Sequence, residues 1–149
     1  MLGWAGTTGD ATGIRVPRAD RGMEDPPPIV AGLTQGPWQV TADDVYLSPA
    51  PLYHSAPLRC TMAMQRIGAT SIVMEKFDPE DALALIERHG VTVSQWVPTM
   101  FVRLLRLPAE RRGRYDLSSH RLAVHAAAPC PVPVQTQMID WWGPILFEY

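Results

Sequence analysis

From residue 44 onward the chain alternates short apolar runs with stretches of helical period. Val45-Tyr46-Leu47-Ser48 reads as a buried strand stopped by Pro49-Ala50-Pro51, and a helix follows over 57–67, ended by Gly68. Ser71-Ile72-Val73-Met74 is a strand rich in β-branched residues. Asp78-Pro79-Glu80-Asp81 has the marks of a helix start: an acceptor at the N-cap, proline at the first helical position, and acids against the positive end of the dipole. Leu83, Leu85 and Ile86 give that helix an apolar face, while Arg88, His89 and Gly90 suit its end. Residues 91–97 then read as a strand and 100–107 as a helix, opened by Pro98-Thr99 and closed by Pro108. A short helix with loop over 110–119, a strand over 121–126, a helix over 131–142 and a strand over 144–149 complete the pattern.

Five strands alternating with four main helices predict an α/β fold of βα units, with a mainly parallel sheet and right-handed crossovers. Ligands bind outside the carboxyl ends of the strands in such sheets. That rule points to residues 49–55, 97–99, 126–131 and whatever follows Tyr149. Residues 15–39 carry no period, and their prolines (Pro17, Pro26, Pro27, Pro28, Pro37) with five charges between Arg18 and Asp25 predict an irregular, solvated loop.

Composition narrows the class. The 149 residues suit one domain, and 46% hydrophobic with 19% charged residues is globular rather than disordered. Thirteen basic against fifteen acidic residues give a formal net charge of −2, so bulk electrostatics draws the chain neither to nucleic acid nor to an anionic membrane. Cys60 and Cys130 have no metal-like spacing and predict no disulfide framework, which fits a reducing, cytoplasmic location. The start, Met1-Leu2-Gly3-Trp4, is not a signal peptide, and the charge-free stretch 122–139 is broken by Pro129, Pro131 and Pro133, so no membrane span is expected.

Candidate chemistry begins with Gly6-Thr7-Thr8-Gly9-Asp10-Ala11-Thr12-Gly13, where glycines can turn backbone N–H groups inward and threonine hydroxyls add donors, enough to wrap a phosphate. A plain surface loop is the competing reading. His54 follows a proline-punctuated strand end, where an imidazole could bond a carboxylate or phosphate; a satisfied structural histidine is the alternative. Ala126-Ala127-Ala128-Pro129 would let a flat ring approach the backbone, or would serve close helix–strand packing. Trp96, Met100 and Phe101 either line an apolar channel or belong to the core. His125 reads as core, His89 as a dipole partner, His120 as loop, and Cys130 as a small buried residue without a base. No nucleophile elbow, paired carboxylates or metal cluster is readable.

Taken in order, these segments resemble the adenylate-forming acyl-CoA synthetases, particularly long-chain fatty-acid–CoA ligases. Gly6-Thr7-Thr8-Gly9 is similar to the core of the family's phosphate loop, Ser-Gly-Thr-Thr-Gly-x-Pro-Lys-Gly, and Pro51-Leu52-Tyr53-His54 to the element that sets a histidine near the substrate carboxylate. Val97-Pro98-Thr99 matches a strand-to-helix junction beside the acyl site, and Ala126-Ala127-Ala128-Pro129 the Gly-Gly-Ala-Pro segment under the adenine. Glu148-Tyr149 resembles the entry to the Tyr-Gly-x-Thr-Glu motif that contacts nucleotide and magnesium.

The resemblance implies ATP, magnesium and CoA as partners of a carboxylic acid, a fatty acid above all. The acid would attack the α-phosphate to give an acyl-adenylate and pyrophosphate, and the CoA thiol would then displace AMP. Gly6, Thr7, Thr8, Gly9, Ala127, Ala128, Pro129, Glu148 and Tyr149 would hold nucleotide; His54, Trp96 and Thr99 would meet the acid. Residues 1–149 would form part of the AMP-binding domain, without the small C-terminal domain and its lysine, so no complete catalytic or metal-ligand set is expected.

Ala11 and Thr12 stand where the family has proline and lysine, removing a charge-assisted contact of about 1.5–3 kcal/mol at the triphosphate. Two other readings therefore accompany the ligase: a non-catalytic nucleotide-binding or interaction module, and an adenylating enzyme for aryl or amino acids. The apolar 145–147 run at a sheet edge also predicts a chain prone to aggregate.

Overall fold

The computed structural model describes residues 2–4, 12–14, 28–36 and 38–148. Strands β1 (Leu2–Trp4) and β2 (Thr12–Ile14) pair antiparallel, Gly3 opposite Gly13. The helix α1 (Pro28–Gln35) leads into a run of parallel βα units. In chain order these are β3 (Val45–Ser48), α2 (Ser55–Ile67), β4 (Thr70–Val73), α3 (Pro79–His89), β5 (Val93–Trp96), α4 (Pro98–Leu105), α5 (Ala109–Arg112), β6 (Leu122–His125), α6 (Val132–Trp142) and β7 (Leu146–Glu148). The strands lie in the order β4-β3-β5-β6-β7, every neighbouring pair parallel. The α/β fold with a mainly parallel sheet is thus the one the sequence predicts.

Two expectations need correction. Residues 28–35 of the expected 15–39 loop are helical. The proline run hides this, because the last proline occupies the first helical turn, where its missing N–H costs nothing. Val30 and Leu33, three residues apart, then bury against the sheet, and Thr34 Oγ1 donates to the Val30 carbonyl at 2.9 Å. The antiparallel β1–β2 pair was likewise not part of the five-strand pattern; three-residue strands carry too few positions for a period to show. Residues 15–27 lie outside the described residues.

Alternation along each strand splits the core into two layers. Tyr46, Val93, Leu122 and Val124 face α1 and α2, where they meet Leu33, Cys60, Ala63 and Met64. Leu47, Trp96 and Ala123 face α3, α4 and α6, among Leu83, Ile86, Phe101, Leu104, Met138 and Trp142. The partition follows from crossover handedness. The β3→β4 crossover runs one way along the sheet; those into β5, β6 and β7 run the other, so their helices must lie on the opposite face.

Local signals set the ends of α3 as predicted. The Asp78 carboxylate accepts the N–H groups of Glu80 and Asp81 at 2.9 and 3.1 Å, Pro79 fills the first turn, and Gly90 takes the left-handed position with φ 59°.

The amino edge of the sheet is tied by one polar cluster. Arg121 grips Asp44 with two N–H groups, at 3.1 and 2.7 Å, and reaches the Trp38 and Gln39 carbonyls. Asp44 also accepts the Thr92 hydroxyl at 2.6 Å and the Thr41 N–H at 2.8 Å. Burial pushes the Asp44 carboxyl up, but Arg121, Thr92 and Thr41 together hold it below the ordinary 3.8. On the other face of β5, His120 is buried with Nε2 2.6 Å from the Ser94 hydroxyl, which also accepts the Trp96 indole N–H. Burial pulls His120 down to about 4, opposed only in part by the Leu122 backbone.

Both groups bind fewer protons folded than unfolded, so acid destabilises the chain over two adjoining windows. The His120 contribution is complete above pH 6.5 and falls away towards pH 4; that of Asp44 persists above 3.8 and is lost as pH drops through its lower folded value. Urea unfolding across this range should show the midpoint falling in both windows, with His120→Gln flattening the upper one. Asp44→Asn should flatten the lower one and cost about 1–3 kcal/mol at pH 7, since it weakens a charge-assisted fork.

Candidate functional site

The reversal of crossover direction sets a topological switch point at the carboxyl edge. The chain leaves β3 towards β4 and leaves β5 towards β6, so the segments after these adjacent strands diverge. In open α/β sheets such a switch point is where a ligand crevice forms. His54 and Thr99 stand on its two sides.

On the β3 side, Ser48 is followed by a turn closed by the His54 N–H donating to the Pro51 carbonyl at 3.1 Å. His54 occupies the N-cap of α2 with extended backbone, and its side chain makes no capping bond. It is exposed and lies against the Tyr53 ring, centroids 4.6 Å apart, with Tyr53 82% exposed. An imidazole here is available to a ligand because neither the helix end nor the core uses it.

On the β5 side, Val97 caps α4, Pro98 fills the first turn, and Thr99 presents an exposed side chain. Trp96 is enclosed at 1% exposure, with Phe77, Phe101 and Trp142 around its ring. Met100 and Phe101 are buried beside it. These apolar residues belong to the core on the α3, α4 and α6 face rather than to an open channel wall.

The segment after β6 borders this region. The Ala126 N–H donates to the Trp96 carbonyl at 3.3 Å, which ties it to the end of β5. Ala127 has φ 79°, in the left-handed region, at a cost of about 1–2 kcal/mol for an L-residue. That turn leaves Ala127, Ala128 and Pro129 exposed along the edge. Glu148, at the exposed end of β7, accepts the Cys130 N–H at 3.4 Å and so joins the segment to the last strand. Cys130 is buried and its thiol is pushed up by burial and by Glu148, which suits packing and not nucleophilic attack.

His125 is enclosed, as read from sequence, with the Phe101 ring 5.4 Å away and neither ring nitrogen partnered. Burial lowers its pKa, with Glu148 opposing. Gly6, Thr7, Thr8, Gly9 and Tyr149 lie outside the described residues, although the flanking strands β1 and β2 pair directly on either side of residues 5–11. The Ser94–His120 and Asp44–Arg121 pairs escaped the sequence reading, since partners 26 and 77 residues apart leave no local signal. Both cysteines are free. Among the described residues no three His, Cys, Asp or Glu groups converge to hold a metal ion, and no helix is long and apolar enough to cross a membrane.

A family described as AMP-binding enzyme matches residues 6–149. The chain belongs to that family. It is 35% identical over 129 residues to 4-coumarate–CoA ligase 5 of Oryza sativa subsp. japonica, covering 84% of this chain and 23% of that protein. It is 42% identical over 101 residues to a 3-[(3aS,4S,7aS)-7a-methyl-1,5-dioxo-octahydro-1H-inden-4-yl]propanoyl:CoA ligase of Mycobacterium tuberculosis, covering 67% of this chain and 20% of that one. ATP-bound MatB from Rhodopseudomonas palustris superposes with a TM-score of 0.68 at 27% identity, over 80% of this chain and 23% of that one. An O-succinylbenzoate CoA synthetase from Bacillus subtilis in complex with AMP gives 0.64 at 27%, over 79% and 23%. The chain spans about a quarter or less of the length of these relatives.

The left-handed Ala127 should respond to backbone freedom alone. Ala127→Gly should be neutral or raise stability by up to about 1 kcal/mol, while Ala127→Val should lower it by about 1–2 kcal/mol, read from thermal unfolding.

Proposed function

We propose that this chain carries the nucleotide- and acid-facing edge of an adenylate-forming CoA ligase. What supports the reading is the topological switch point between β3 and β5, with the exposed His54 and Thr99 at the starts of the helices leaving it and a small-residue turn after β6, on a chain of the AMP-binding family. The reaction joins a carboxylate oxygen to the α-phosphorus of ATP and expels pyrophosphate. A CoA thiolate then attacks the acyl carbon, with AMP as the leaving group.

Each residue has a definite task in this scheme. His54 donates a hydrogen bond to the acid's carboxylate and fixes its approach; such positioning converts an encounter into an aligned attack. Thr99 supplies a hydroxyl across the crevice. Ala127, Ala128 and Pro129 give the adenine a flat wall without side chains in the way, and Glu148 holds that wall through the Cys130 N–H. Gly6, Thr7, Thr8 and Gly9, with Tyr149, complete the nucleotide contacts. The enclosed Trp96 and Phe101 keep the floor apolar, which protects an acyl-adenylate from water.

The substrate is a carboxylic acid with an apolar body. A fatty acid satisfies the apolar floor, and the relatives named for 4-coumarate and for a fused-ring propanoate extend the class to ring-bearing acids. A second reading, nucleotide binding without turnover, is favoured by Ala11 and Thr12 in place of the family's proline and lysine.

Two measurements separate these. ATP or AMP at about 100 times its Kd should stabilise the chain by about 2.7 kcal/mol, a rise of several degrees in Tm. Acid-dependent exchange of labelled pyrophosphate into ATP should accompany it, and His54→Ala should cut exchange about tenfold or more while leaving the nucleotide-induced Tm shift in place. A Tm shift without exchange supports the second reading; no shift with either nucleotide refutes both.

A further inference from the structure

Tyr53 and His54 form an uncovered aromatic pair. Their ring centroids lie 4.6 Å apart with the planes tilted by 47°. Tyr53 is 82% exposed, the most open of the large hydrophobic side chains among the described residues, and His54 is exposed beside it.

The segment that carries them is anchored on both sides. Ala50 is buried, and the Ser48 hydroxyl donates to its carbonyl at 3.4 Å. The His54 N–H closes the turn onto the Pro51 carbonyl, the His54 carbonyl accepts the Leu58 N–H at 3.2 Å, and Pro57 is buried at the start of α2. Backbone bonds and buried neighbours therefore fix where the two rings stand, while the rings themselves stay outside the core.

Two exposed rings in contact offer a ligand two different interactions. The imidazole carries its N–H in the ring plane, which fits a carboxylate oxygen, and the phenol presents a π face, which fits a flat ring. Because the rings touch, a carboxylate bonded to His54 brings the body of the same acid beside Tyr53. An aromatic body gains stacked or edge-on contact there beyond the area it covers; a saturated body of similar size gains area alone. A pair already held in place loses little freedom on binding, so this difference reaches the affinity.

We propose that Tyr53 is a specificity-determining residue, selecting acids whose carboxylate is carried on an aromatic ring over saturated acids of similar size. The proposal rests on the reading that His54 receives the acid's carboxylate, and adds the neighbour that reads the acid's body.

Benzoate and cyclohexanecarboxylate are the probes, alike in charge and nearly alike in size but different in their π system. Titrated against the 149-residue chain, each should shift the His54 imidazole signals in 1H–13C NMR, identified through His54→Gln. Benzoate should bind about three- to tenfold more tightly. Tyr53→Leu should make the two affinities nearly equal, and Tyr53→Phe should keep the preference, since the ring and not the hydroxyl carries it. Both variants should retain the parent Tm, because Tyr53 lies outside the core. Equal affinities in the unsubstituted chain, or a preference that survives Tyr53→Leu, overturn the proposal and leave the acid at His54 in place. If neither acid moves the His54 signals, that underlying reading and the proposal fall together. If AMP moves the Tyr53 ring signals and benzoate does not, the ring belongs to the nucleotide and the proposal is overturned.

Discussion

Parallel strands joined through a helix have a fixed right hand, because a right-twisted strand packs its crossover back onto the sheet only that way. That constraint organises this molecule. With β3 leading outward to β4 and every later crossover returning across the sheet, α2 must lie on one face and α3, α4 and α6 on the other. The divergence of the segments after β3 and β5 follows. His54 and Thr99 stand at that divergence because each sits in the first residues of a helix leaving the switch.

The two edges of the sheet are built differently. Across the amino edge, Arg121 and Asp44 join the approach to β3 with β6, and Thr92 brings in β5. Across the carboxyl edge the links are backbone bonds and one carboxylate, from Ala126 to Trp96 and from Cys130 to Glu148, and the side chains above them are exposed.

Membership of the AMP-binding family joins these features to a chemistry that needs such an open edge. Adenylation is largely a problem of alignment and charge, solved by placing acid and phosphate in line and excluding water. In the proposed reading, the small-residue turn at Ala127 and the exposed His54 imidazole are the parts this chain would bring to it.

The sequence by itself determined what local chemistry can encode. Asp78, Pro79 and Gly90 fix the ends of α3 through bonds within a few residues, and strand-period runs alternating with helices specify a parallel α/β sheet. Small residues and prolines at the strand ends mark the carboxyl edge. Only tertiary structure decided the rest. Helix α1 forms because the sheet supplies a surface for Val30 and Leu33, so its proline-rich approach reads as loop in isolation. Trp96 is enclosed because rings from α4, α6 and the loop before α3 close around it. Asp44 meets Arg121, and His120 meets Ser94, across sequence separations that no period or spacing records; those contacts exist only once strand order has brought distant segments together.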